Sequence, residues 1–136
     1  MIEYGYCRIS TAKQSIERQI RNIRAEHPQA VIVQEVFTGT KTDGRKKFEA
    51  LLKTVKPGDL IVFDSVSRMS RNAEEGFTVY QDLFSKGIEL EFIKEPQINT
   101  TAFRNALKPL YRSQEQILTI SLRELTSFFW NSPESK

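Results

Sequence analysis

Apolar and polar positions follow two alternating periods along the first hundred residues. Residues 2–9 (IEYGYCRI) alternate and are rich in aromatic and branched side chains, which predicts a strand ending at Ser10. Ser10 or Thr11 is then placed to cap a helix. Over residues 13–26, Ile16, Ile20 and Ile23 recur at helical spacing with polar residues between them, and His27-Pro28 stops the pattern. Residues 30–37 (AVIVQEVF) predict a second strand, and residues 38–44 (TGTKTDG) a polar loop with turn-forming glycines. Residues 45–55 put Phe48, Leu51, Leu52 and Val55 on one helical stripe, closed by a turn at Lys56-Pro57-Gly58-Asp59. Residues 60–63 are wholly apolar, as a central strand covered on both faces should be. Residues 64–72 read as a second polar loop. Residues 73–86 are again amphipathic through Phe77, Tyr80, Leu83 and Phe84, with Gly87 placed as the C-cap, and residues 88–93 predict a fourth strand.

Alternation of strand and helix predicts an α/β fold, a mostly parallel sheet of four to five strands flanked by helices. In such sheets ligands bind beyond the C-terminal strand ends, where the strand order switches. Arg8 and Ser10 follow the first strand, while Arg68 and Arg71 follow the third. The fold therefore brings these two polar ends to one edge of the sheet.

Beyond residue 93 the pattern thins. Glu95-Pro96-Gln97 reads as a turn, and Asn99 or Thr101 is placed to cap a helix through Phe103 and Leu107 that Pro109 should interrupt. Leu118, Leu122, Leu125 and Phe129 could line one more helix.

A chain of 136 residues supports one domain with a real core. No apolar run approaches a membrane span and the N-terminus lacks the form of a signal peptide, so a cytoplasmic protein without a membrane partner is expected. Cys7 is the single cysteine, which excludes an internal disulfide or a site of several thiolates, and its apolar setting predicts core packing. His27 is the single histidine, so a Ser-His-Asp triad or a His-rich metal centre has little to be built from. Chemistry falls to hydroxyls, carboxylates, lysines and arginines, with no metal and no cofactor expected. The net charge of +3 is compatible with a nucleic-acid partner.

A phosphodiester under attack gathers negative charge on its non-bridging oxygens and needs donors aimed at them. Arginine suits this, because its planar fork binds two oxygens at once and stays charged. Arg8, Arg68 and Arg71 would supply that shell, with Arg45 reaching in from the second helix and Ser10 as the nucleophile. Taken singly, each has a plainer reading: Ser10 as an N-cap, the arginines as surface charges. Their joint arrangement points to phosphoryl transfer.

Several spaced motifs, in one order, resemble the catalytic domain of the serine recombinases, the resolvase and invertase family. They are Tyr6-Cys7-Arg8-Ile9-Ser10, Gln14 and Gln19 of the first helix, and Thr42-Asp43-Gly44-Arg45 followed by Leu51-Leu52. Gly58-Asp59 and Ser67-Arg68-Met69-Ser70-Arg71-Asn72 complete the set, so the likeness covers residues 4–100. The resemblance implies a site-specific recombinase that cuts DNA through a 5′-phosphoserine on Ser10, exchanges strands within a synaptic tetramer and rejoins them. It implies Arg8, Arg45, Arg68 and Arg71 as phosphate-binding and transition-state residues, with Gln14 and Gln19 in support. The family's usual aspartate before the arginine of the second loop is Ser67 here, and Asp64 is the candidate substitute.

The resemblance further implies DNA as partner and a homodimer or tetramer when the full family architecture is present. Residues 1–100 form the expected catalytic domain; residues 101–136 are an irregular or altered tail with no separate DNA-binding domain. Residues 125–136 can be encoded by codons that in another frame give an amphipathic helical sequence, so a frameshift near residue 107 would account for the tail. The competing reading is a truncated remnant, inactive alone, that pairs with full-length recombinases. A nucleotide-binding doubly wound domain is disfavoured, because no glycine-rich loop follows the first strand.

Overall fold

The structure, a computed structural model, describes residues 1–9, 13–36, 45–70 and 72–107. Strand β1 (Glu3–Ile9) leads through helix α1 (Lys13–Glu26) to β2 (Val31–Val36), and α2 (Lys46–Thr54) leads to β3 (Leu60–Phe63). A short helix α3 (Val66–Met69) and α4 (Ala73–Ser85) precede β4 (Glu89–Phe92), and α5 (Thr100–Leu107) follows a single 3-10 turn at Pro96–Ile98. The strands lie in the order β2-β1-β3-β4, and every pair is parallel. The expected α/β architecture is met with four described strands.

Each face of the sheet has its own core. On one, Cys7 and Ile9 of β1 and Leu60 and Val62 of β3 pack against Ile16 and Ile23 of α1. On the other, Tyr4, Tyr6, Ile61, Phe63, Leu90 and Phe92 meet Phe48 and Leu51 of α2 and Tyr80 and Leu83 of α4. This division follows from side chains alternating across a strand. Gly5 lets α1 approach closely: a Cβ there would lie 2.9 Å from both Ile23 Cγ2 and Ile32 Cδ1.

Turn chemistry sets the ends. Gly58 takes φ +95° in the turn that feeds β3, where the Asp59 amide donates to the Lys56 carbonyl at 2.9 Å. Gly87 takes φ +82° after α4, and the amides of Gly87 and Ile88 donate back to Phe84 and Leu83, closing the helix with a paired C-terminal motif.

The stretch expected as a loop after β3 contains α3. Val66 and Met69, three residues apart, are both buried, and the Val66 amide donates to Glu95 Oε1 at 2.9 Å. Two apolar residues among seven polar ones are too few for a periodic signal, so the helix rests on tertiary contacts. Asn99 precedes α5, yet its side chain accepts from the Phe92 amide in β4 at 2.6 Å instead of capping the helix. The packed unit continues past Thr100, since Phe103 of α5 is fully buried against Tyr80 and Phe84. Pro109 and the stripe from Leu118 to Phe129 lie outside the described residues. Among the described residues no helix is long and apolar enough to cross a membrane.

Candidate functional site

The strand order switches between β1 and β3, because β2 and β3 lie on opposite sides of β1. At that edge β1 outruns its partner: it pairs with β3 from Glu3 to Tyr6 but with β2 as far as Ile9. The Arg8 amide and carbonyl on the vacated side would be buried without partners, and Gln19 of α1 replaces the missing strand. Its Oε1 accepts from the Arg8 amide at 3.0 Å and its Nε2 donates to the Arg8 carbonyl at 3.0 Å. Gln19 is buried, so this pair fixes the backbone from which the Arg8 side chain departs.

The Arg8 guanidinium then reaches α3, its Nη2 donating to the Ser67 carbonyl at 2.6 Å. Arg45, just before α2, arrives from another direction: its Nη2 donates to the Met69 carbonyl, and its Nη1 pairs with Glu75 Oε1 at 3.1 Å. Arg68 is itself part of α3. The last carbonyls of a helix lack partners within it, and they carry partial negative charge. Two arginines thus complete the end of a four-residue helix that bears a third.

The Arg45 guanidinium lies over the Phe48 ring, 4.1 Å from its centroid, and 5.8 Å from that of Tyr6. Arg68 is half-buried, and its Nε has no hydrogen-bond partner among the described residues. The charge of Arg68 is felt at Cys7. Burial first and Asp64 second push the Cys7 thiol up to about 12, against the opposing pull of Arg68 and Arg24. The thiol is therefore inert, as expected of a core cysteine.

Ser67 contributes its carbonyl to Arg8, while its hydroxyl lies 2.7 Å from that of Ser65. Asp64 faces α1: one oxygen accepts from Asn22 Nδ2 at 2.9 Å and the other lies 3.3 Å from Lys94 Nζ. Among the described residues neither oxygen bonds to Arg8, Arg45 or Arg68. Ser10 and Arg71 lie outside the described residues, as does the side chain of Gln14.

Three carboxylates that shape this edge carry no periodic signal in the sequence. Glu35 caps α2, Glu75 pairs with Arg45, and Glu95 holds the first amide of α3. The one local signal is Glu35, an acid in a mostly apolar run. Among the described residues no group of three or more histidine, cysteine or acidic side chains could hold a metal ion. The chemistry such an edge offers is anion binding by fixed guanidinium groups.

Comparison with known proteins gives the same family from several directions. A family model described as the resolvase N-terminal domain matches residues 3–124. The transposon Tn501 resolvase of Pseudomonas aeruginosa is 34% identical over 99 residues, covering 71% of this chain and 49% of that protein. The transposon Tn21 resolvase of Escherichia coli is 32% identical over 91 residues, covering 67% of this chain and 46% of that one. The serine recombinase PinR of Escherichia coli is 29% identical over 103 residues, with 73% and 53% covered. The chain spans about half the length of the curated relatives it matches. Among solved structures, the N-terminal catalytic domain of TP901-1 integrase superposes with a TM-score of 0.61 at 20% identity, covering 94% of this chain and 95% of that one. A resolvase-family site-specific recombinase from Streptococcus pneumoniae gives 0.57 at 23% identity, with 88% and 94% covered. These two carry the fold alone.

Proposed function

Because the chain belongs to the resolvase family of serine recombinases, we propose that it is a catalytic domain that cuts and rejoins DNA through Ser10. The observation that carries this reading is the gathering of Arg8, Arg45 and Arg68 on α3, at the sheet edge where β1 ends at Ile9, one residue before Ser10 in sequence. The Ser10 hydroxyl gives up its proton to solvent as its oxygen attacks the scissile phosphorus, forming a serine–phosphate ester at the 5′ side. The bond to the 3′ oxygen breaks, and that oxygen leaves as a 3′-hydroxyl once it has gained a proton. Religation is the reverse, with a 3′-hydroxyl attacking the phosphoserine and Ser10 regaining its proton. The energy of the phosphodiester is conserved in the ester, so no external driving force is needed.

Arg8, Arg45, Arg68 and Arg71 bind the non-bridging oxygens and stabilise the charge that grows on them in the transition state. Gln19 acts through Arg8, by fixing its backbone, and Gln14 is assigned a supporting role. With Asp64 tied to Asn22 and Lys94, the Ser67 carbonyl is one group that orients Arg8, and it does in part what a carboxylate at that position would do. Exchange between two duplexes requires more than one copy, which makes a dimer or tetramer on DNA the working form.

The test joins the chain to a DNA-binding module and offers duplex carrying that module's sites. The expected result is a protein–DNA adduct that survives denaturant, is lost in Ser10→Ala and is strongly reduced in Arg8→Ala and Arg68→Ala. No adduct, under conditions where the matching domain of a relative forms one in the same fusion, would refute the reading.

A further inference from the structure

Arg45 occupies the N-cap position of α2, with its carbonyl accepting from the Glu49 amide at 3.0 Å. An arginine side chain carries donors only and cannot accept from the orphan amides of the first turn. Those amides nevertheless have an acceptor. Glu35, on β2, takes the Lys47 amide at 2.9 Å with Oε2 and the Phe48 amide at 3.1 Å with Oε1. The same Oε1 accepts from the Tyr6 hydroxyl at 2.6 Å. Glu35 is 4% exposed, and it lies on the sheet face where Val33 of the same strand packs into the aromatic core. Alternation alone would put an apolar residue there. A leucine would leave two amides and a phenol without their acceptor, each a buried polar group left unsatisfied.

The two rings that Glu35 secures are the two against which Arg45 lies. Phe48 is held through its amide and Tyr6 through its hydroxyl, and their centroids stand 4.8 Å apart. Burial first, then the bond to Glu35, push the Tyr6 phenol well above its ordinary range, while Arg45 draws it down. The hydroxyl therefore stays protonated and keeps donating.

We propose that Glu35 is a positioning residue for Arg45: one carboxylate caps α2 and fixes the Tyr6–Phe48 bed, and so sets where the guanidinium lies at the sheet edge. The placement of Arg45 stands on this geometry alone. Its effect on catalysis rests on the recombinase reading above.

The first measurement uses the chain without DNA. Aromatic rings shift a guanidinium stacked on them upfield, so the Arg45 Nε–H resonance, assigned by its loss in Arg45→Lys, should lie upfield of an exposed arginine. In Glu35→Gln one face of the side chain becomes an amide N–H₂ that cannot accept, and the resonance should move toward the exposed value while the chain stays folded by circular dichroism. Tyr6→Phe, which removes one of the three bonds, should move it in the same direction by less, and it serves if Glu35→Gln does not fold. An Arg45 resonance unchanged in the folded variants would overturn the proposal.

The second measurement is the adduct assay. Glu35→Gln should slow adduct formation about tenfold, yet cause no further loss in an Arg45→Ala background, as expected for residues acting through one another. Equal slowing in both backgrounds would overturn the role through Arg45. A wild-type chain that forms no adduct would instead count against the recombinase reading, and the resonance would still decide the placement.

Discussion

Gln19 offers the sharpest test of how the site is built. Where β1 runs on past β3, its side-chain amide stands in for a strand, meeting the Arg8 amide and carbonyl at 3.0 Å each. Gln19→Leu keeps a similar volume and removes both contacts. Each buried backbone group left without a partner costs about 1–3 kcal/mol, or about 2–6 kcal/mol for the pair. A leucine buried here returns about 1.5–3 kcal/mol through its apolar surface, so the midpoints leave a net loss of about 2 kcal/mol. Against a total stability of about 5–15 kcal/mol this is large, and it should lower the melting temperature by about 8–16 °C, at roughly 4–8 °C per kcal/mol for a unit of this size. Gln19→Glu refines the test. An ionised carboxylate can accept from the Arg8 amide but faces the Arg8 carbonyl with no proton to share, whereas a protonated one reproduces both bonds. Folding therefore favours the neutral form and raises the folded pKa of the introduced carboxyl. The penalty is full well above that raised value and fades as the pH falls toward the ordinary carboxylate range. Urea denaturation at pH 7 and pH 5 should show Gln19→Glu closer to wild type at pH 5, and Gln19→Leu equally far from it at both. A Gln19→Leu chain within about 0.5 kcal/mol of wild type, the usual scatter of neutral surface changes, would refute the reasoning.

Four further outcomes follow from the same geometry. Glu75→Gln removes the negative charge paired with Arg45 and should raise DNA affinity about 1.4- to fivefold at low salt, in line with an exposed pair of about 0.2–1 kcal/mol, the gain shrinking as salt is added in a binding titration. His27 sits 2.7 Å from Glu91 and 3.4 Å from Glu3; burial lowers its pKa, but the two carboxylates together outweigh burial and raise it. Its stabilisation is then full below the unfolded value near 6.5 and is lost as the pH rises through the folded one, so melting temperature should fall from pH 6 to pH 8 more in wild type than in His27→Gln. Gly5→Ala should cost about 1–3 kcal/mol by overpacking, because the Cγ2 of β-branched Ile23 cannot easily give way, and denaturant melts would show it. Arg8→Lys keeps a donor for the Ser67 carbonyl and should lose under about 1 kcal/mol of stability, whereas both Arg8→Lys and Arg8→Ala should fail in the adduct assay.

Periodicity made most of the fold legible. Ile16, Ile20 and Ile23 located α1 to its observed ends, and Gly58 and Gly87 marked turns that do require positive φ. Of the arginines, Arg8 and Arg68 were legible together, since one at the end of β1 and the other just past β3 come to one edge of a parallel sheet. What the pattern hid depends on contacts between residues distant in sequence. Glu35 meets Tyr6 across 29 positions, and Glu95 meets Val66 across the same number, so each acid reads locally as a strand or turn residue. His27 read as a helix stop because Glu91, its closest partner, lies 64 positions away. Helix α3 was hidden for a different reason: four residues cannot show a 3.6-residue period.

That short helix also explains why the arginines are difficult to treat as catalysts alone. A single turn does not form unaided, because nucleation fixes several residues for one hydrogen bond. Here Glu95 accepts from its first amide, and Arg8 and Arg45 donate to carbonyls near its end, so acid and base complement the helix dipole at both termini. The charges that would meet a phosphate are thus the ones that hold α3, and with it Arg68, in place. An arginine anchored by one Nη has already lost much of its rotamer freedom, so less is lost when its fork closes on an anion. The converse is that a truncated arginine removes both a ligand and a support. Activity lost in Arg8→Ala contains a structural share, and only its comparison with Arg8→Lys separates that share from the chemistry.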